Sequence, residues 1–223
     1  DKEGIFRIGA ASSTSPTGPF KAESNYIQGT FSIDPAVFED DDGSYYLYFG
    51  GLWGGQLQNW YDGQFNVEDK YPDNDAPALP AKIAKLSTNM LELDEEVKDV
   101  ILIDEYGESI TVGDNNRRFF EGPWVHKYNG VYYFSYSTGD THKIAYATGN
   151  SPYGPFTYQG VILNPVLGWT NHHSITSFEG KWYLFYHDSS LSGGQTHLRS
   201  VKMTELVHDE DGKIQTIDAY EQK

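Results

Sequence analysis

The chain reads as all-β on three observations. Its apolar residues alternate with period two rather than 3.6. Helix signals are almost absent, and Gly, Pro, Asn and Asp clusters punctuate the chain at short intervals. One pattern of strand, tight turn and aromatic strand recurs three times, each copy bounded by those punctuating residues.

The elements follow in order. "FRIGAAS" predicts a first strand, closed by the turn "SPTGPF" (15–20), so residues 5–27 form an outer strand pair without an inner pair. "DPAVFEDDDGSYYLYF" begins at Asp34 and predicts a hairpin with "YYLYFG" (45–50) as its second strand. "EDDDG" (39–43) carries only a fragment of a calcium-loop pattern and reads as a solvated turn. A long loop, "GGLWGGQLQNWYDGQFNVED" (50–69), leads through "DNDAPALP" (73–80), the end of this insertion, to a third strand, "AKIAKLS" (81–87). The second copy, "EGPWVHKYNGVYYFSY", begins at Glu121 and is followed by "HKIAYAT" (142–148) and a second turn of the first kind, "SPYGPF" (151–156). The third, "NHHSITSFEGKWYLFY", begins at Asn171 and is followed by "THLRSVK" (196–202).

Aligned without gaps, the three copies superpose Gly43, Gly130 and Gly180, and also Tyr46, Tyr133 and Tyr183. Four-stranded units repeated in this way are the blades of a β-propeller. The count is three inner pairs plus one outer pair, about three and a half blades, which cannot close a ring. The opening residues, "DKEGIFRIGAASS", read as the middle of a domain. The expectation is that a preceding segment of the same protein, or a second chain, completes the propeller.

Composition narrows the partners. Lys plus Arg total 16 against 32 Asp plus Glu, a formal charge of −16, which argues against nucleic acid and anionic membrane surfaces. No run approaches the roughly 18 apolar residues of a membrane span. The chain has no cysteine, so thiolate metal sites, disulfides and cysteine nucleophiles are excluded. The compartment stays open between a bacterial-type cytoplasm and secretion. Aromatics reach 15% of residues, an excess that packed sheets or a carbohydrate site would use.

In a propeller the innermost strand of each blade starts near the axis on one face. Asp34, Glu121 and the Asn171–His172 pair hold that position in successive units, so they are expected to converge. Carboxylates in one cleft are what glycoside hydrolysis needs: one protonates the leaving oxygen, another activates water. Apolar walls such as Phe119 and Phe120, and a like charge nearby, would keep one carboxyl protonated. His172 and His173 are adjacent, so on a strand they face opposite ways; the register sends His172 to the channel. The loops 50–69, 137–142 and 187–197 return to the same face, and Trp53 in the first can wall a sugar site.

The stretches "RIGAASSTSPTGPF", "IDPAVFEDDDGSYYLYFGG", "FFEGPWVHKYNGVYYFSYSTG", "NHHSI" and "HLRSVK" resemble glycoside hydrolase family 43, the five-bladed β-propeller arabinofuranosidases, xylosidases and arabinanases. The resemblance runs from the first residue to about 205 and is strongest to β-xylosidases and α-L-arabinofuranosidases. It implies an inverting exo-glycosidase releasing xylose or arabinose from xylo-oligosaccharides or arabinoxylan. An endo-arabinanase and a non-catalytic carbohydrate-binding propeller are the alternatives. Residues 1–223 would then supply the outer strands of blade two and blades three to five. Glu121 matches the general acid and Asp34 the carboxylate that tunes its pKa. His172 matches an axial histidine that holds a calcium ion through water. Arg199 matches an arginine of the sugar pocket, and Trp53 and Phe31 complete the expected substrate contacts. No residue matches the family's general base, an Asp of the first blade.

Overall fold

The computed structural model describes residues 1–220. In chain order the strands are β1 (Gly9–Ser12), β2 (Lys21–Tyr26), β3 (Ala36–Glu39), β4 (Tyr45–Phe49), the short β5 (Trp60–Tyr61) and β6 (Gln64–Phe65), β7 (Lys82–Leu86), β8 (Lys98–Asp99) and β9 (Leu102–Ile103). They continue with β10 (Phe119–Tyr128), β11 (Val131–Thr138), β12 (Ile144–Gly149), β13 (Phe156–Leu163), β14 (His173–Phe178), β15 (Lys181–Asp188) and β16 (Ser200–Leu206). No α-helix occurs among the described residues; three single 3-10 turns lie in loops.

The sheets follow the predicted units. β1 pairs with β2; β3–β4–β7–β8 form the next sheet, β10–β11–β12–β13–β9 the third and β14–β15–β16 the last, while β5 and β6 make a ribbon within the insertion. The three predicted hairpins are β3–β4, β10–β11 and β14–β15, all antiparallel. Both "SPxGPF" copies are tight turns, with Gly18 N–H donating to Ser15 O and Gly154 N–H to Ser151 O, each at 3.0 Å.

Period-two patterning becomes packing between sheets. On β4, Leu47 and Phe49 face the β1–β2 sheet with Ile8 and Ile27, while Tyr46 and Tyr48 face the third sheet. On β11, Tyr132, Phe134 and Tyr136 point back into that same layer, and Tyr133 points forward to Leu184 and Tyr186 of β15. The second and third sheets are therefore apolar on both faces, and the core is a series of layers between successive sheets. Burying one such side chain contributes about 1.5–3 kcal/mol. Inner strand β10 lies against both β3 and β14, which brings the starts of the three inner strands together.

Three details differ from the sequence reading. The predicted strand 196–202 begins only at Ser200. Ahead of it, Leu198 N–H donates to Gln195 O at 2.9 Å and the Ser192 hydroxyl lies within hydrogen-bonding reach of Gln195 O and Leu198 O, so that backbone closes as a turn just before Arg199. The third sheet gains β9, which runs parallel to β13 and was not foreseen. The "EDDDG" turn is not wholly solvated. Asp40 is buried, accepts from Lys127 Nζ at 2.8 Å and Tyr132 Oη at 2.6 Å, and so ties two sheets together.

Candidate active site

Glu121 is carried by β10 at an irregularity in its pairing with β11. The register slips between Phe119 and Glu121 and again between Glu121 and Trp124. Such a bulge re-aims a side chain that would otherwise follow the strand's alternation. Gly122 has φ +63, and a Cβ there would sit 3.0 Å from His172 Nε2. A glycine is required on both counts: the left-handed backbone and the close approach of the imidazole. Pro123 follows where the ladder is already interrupted.

Asp34 also sits in the left-handed region, at φ +61, which Asp tolerates better than most residues. Its neighbours hold it. Buried Ser32 Oγ donates to Gly55 O at 2.7 Å and accepts from Gly51 N–H at 3.0 Å. Leu52 N–H donates to Phe120 O at 3.0 Å, so loop 50–57 is tied to both carboxylate-bearing segments. His172, just ahead of β14, donates from Nε2 to Asp34 Oδ2 at 2.9 Å. Its main-chain N–H donates to His187 Nε2 at 3.1 Å, and Arg199 Nη1 lies 3.5 Å from the same nitrogen. His173 faces the other way, with Nε2 2.7 Å from Ser135 Oγ.

One oxygen each of Asp34 and Glu121 and one nitrogen of His172 all lie within 4.8 Å of one another. Burial, then the negative charge of Asp34, pushes the Glu121 carboxyl above its ordinary value; His172, the Thr170 hydroxyl and Arg199 pull back only in part. Burial works against charging His172, yet its hydrogen bond to Asp34 and the charges of Asp34 and Glu121 outweigh this and raise its pKa. His187 is lowered to about 4, by burial first and then by Arg199 and His172, so it stays a neutral acceptor. The cluster thus makes Glu121 harder to ionise and His172 easier to protonate.

Two carboxylates and an imidazole at this spacing could reach one ion. Direct ligation would need Glu121 deprotonated, and His172 Nε2 is already engaged by Asp34. A hard ion such as calcium takes six to eight oxygens. The residues therefore fit such an ion only at one remove, through water bound beside His172.

Of the predicted site residues, Asp34, Glu121 and His172 meet directly, and Arg199 reaches the cluster through His187. Trp53 follows Leu52 in the tied loop and is 44% exposed, with Tyr71 4.5 Å from its ring. Phe31 is stacked on Trp60 at 4.5 Å and edge-on to Phe49 at 5.4 Å. Ser32, Thr170 and His187 were not anticipated. They lie outside the repeated motif or at positions where its copies differ.

The family model for glycosyl hydrolases family 43 matches residues 1–214. A xylosidase/arabinosidase of Bacteroides ovatus is 57% identical over 218 residues, 98% of this chain and 67% of the relative. A β-xylosidase of Xylanibacter ruminicola is 51% identical over 97% of this chain and 68% of its own length. Among solved structures, a family 43 β-xylosidase/α-arabinofuranosidase from a compost microbial metagenome superposes with a TM-score of 0.97 at 63% identity. It was solved with xylotriose in a calcium-free form, and the match covers all of this chain and 68% of that one. The chain thus spans about two thirds of the length of these relatives. With a profile match over nearly all its residues, the chain belongs to glycosyl hydrolases family 43.

Proposed function

We propose that the chain is the larger part of an inverting exo-glycosidase that releases xylose or arabinose from xylo-oligosaccharides or arabinoxylan. The observation that carries this reading is the convergence of buried Glu121 with Asp34 and His172, in surroundings that push the Glu121 carboxyl above its ordinary value. The names of the relatives and the xylotriose in the solved neighbour point to the substrate class.

Glu121 passes its proton to the glycosidic oxygen as the bond to the anomeric carbon breaks. Asp34 lies too near Glu121 to work across a water: inverting pairs stand roughly 6.5–9.5 Å apart, and even retaining pairs about 5–5.5 Å. Asp34 therefore acts on the acid, raising its pKa and holding His172. The water that attacks the anomeric carbon surrenders its proton to a base on the opposite face of the sugar. That base is assigned to a part of the protein outside this chain. The preferred assembly is a five-bladed ring to which residues 1–223 contribute the outer strands of blade two and blades three to five. The greater length of the relatives and the lone β1–β2 pair support this. Arg199 and Trp53 are assigned to the sugar pocket, and Phe31 to its more distant wall. A calcium ion held through water at His172 would supply a fixed positive charge on the axis.

The test is Glu121→Gln in the complete protein. Hydrolysis of xylobiose should fall by about 10²–10⁴-fold, while an aryl xyloside with an activated leaving group, which needs little protonation, is largely spared. Equal losses on both substrates would reject Glu121 as the acid.

A further inference from the structure

Trp169 is 59% exposed and lies three residues before His172 of the cluster. Its segment is nonetheless rigidly placed. Gly168 has φ +121, and a Cβ there would meet Ser189 Oγ at 2.8 Å. Ser189 N–H donates to Leu167 O at 2.8 Å, and Trp169 N–H donates to Thr196 Oγ1 at 3.2 Å. The indole is also braced from the side. The His142 ring meets it edge-on, 4.4 Å away at 61°, and the other side of His142 faces Phe120 at 6.1 Å. Both ring nitrogens of His142 are buried without a hydrogen-bond partner among the described residues. Burial also lowers its pKa, so the ring is neutral and serves as packing.

A flat ring held in a fixed loop, with much of its surface open, offers a stacking surface for the apolar face of a sugar. Its position says which sugar. Trp169 lies three residues before His172 of the cluster, and Phe120, which His142 touches, precedes Glu121. Trp169 is therefore linked to the cluster by two routes, along the chain to His172 and through the rings of His142 and Phe120 to the segment of Glu121. The oxygen that Glu121 protonates is bonded to the departing unit, so that unit lies at the acid. Trp53, by contrast, follows Gly51, where a Cβ would sit 3.4 Å from Asp34 Oδ2.

We infer that Trp169, braced by His142, is the platform on which the leaving-group pyranose stacks, and that it selects substrates with such a unit beyond the cleaved bond. This rests on the glycosidase reading above.

The test compares xylobiose, which has a sugar on the leaving side, with β-D-xylosyl fluoride, which has none, in the complete protein. Trp169→Ala and Trp169→Leu should lower kcat/KM for xylobiose by about 10-fold, mostly through KM, and change that for the fluoride less than about 2-fold. Trp169→Tyr, which keeps a flat ring, should retain most xylobiose activity. Melting curves of the Leu and Tyr variants check that the loop is intact. Equal losses on both substrates, or unchanged xylobiose kinetics in the Leu variant, would overturn the inference. A wild-type protein inert on xylobiose, the fluoride and the corresponding arabinosides would refute the glycosidase reading, and this inference with it.

Discussion

Asp34 is the residue whose job is easiest to misread. It stands in the cleft like a catalytic base, yet its Oδ2 accepts from His172 and its charge helps hold a proton on Glu121. Its effect should therefore appear in the pH profile. In Asp34→Asn the negative neighbour is gone, so the pKa of Glu121 falls. The basic limb of kcat/KM, where the acid loses its proton, should move to lower pH. An unshifted limb in a variant with measurable activity would remove Asp34 from this role; the fitted value belongs to the coupled pair. The three converging groups were legible in the sequence because Asp34 and Glu121 share one position in a repeat and His172 is the residue after it in the third copy. Ser32 was not, because a hydroxyl that bolts a loop leaves no periodic trace.

At the scale of the elements, the layer between the third and last sheets contains a second set of histidines. His126 on β10 and His208 after β16 place their Nε2 atoms 3.2 Å apart, against Tyr128, Tyr133 and Trp182. His173 lies in the same seam against Ser135. Burial holds His126 well below 6.5, His173 at about 3 and His208 at about 4. The unfolded chain takes up protons on these rings as pH falls through about 6.5, and the folded chain does not follow until about pH 4 or below. Stability should be flat above pH 7 and decline between 6.5 and 4. His172, with its raised pKa, runs the other way, but it is one ring against five once His142 and His187, also lowered, are included. Melting temperatures across pH 4–8 measure this, and a His173→Gln variant should flatten the curve. A melting temperature that rises on acidification would reject it. The strands themselves were largely predictable, since alternation reports directly on which face is buried. The last sheet's third strand was placed too early because Thr, His and Leu at 196–198 also suit a turn, and the bonds from Ser192 decide it.

For the whole molecule, the layered core makes a strong demand on the last sheet. Tyr46 and Tyr133, at equivalent places, each pack forward against the next sheet. Their counterpart Tyr183 has no next sheet among the described residues. With Phe185 it shares a face carrying Phe178 at 65% exposure, Val201 at 80% and Met203 at 60%. An apolar face of this kind favours association. Residues 1–223 expressed alone should sediment as oligomers or aggregates, and become soluble when about one and a half further blades are supplied, covalently or as a second chain. A cooperatively melting monomer from 1–223 alone would contradict the proposed assembly. The Asp34–His172 hydrogen bond also fixes an order of events during synthesis. Its partners are separated by 138 residues, and Glu121 lies between them. On the ribosome, Asp34 and Glu121 emerge well before the histidine that will neighbour both. Until then they are two carboxylates without their cationic neighbour, and the pair that tunes the acid cannot exist. The acid acquires its working environment only as the last sheet docks, so a prematurely terminated chain would carry Glu121 without its chemistry.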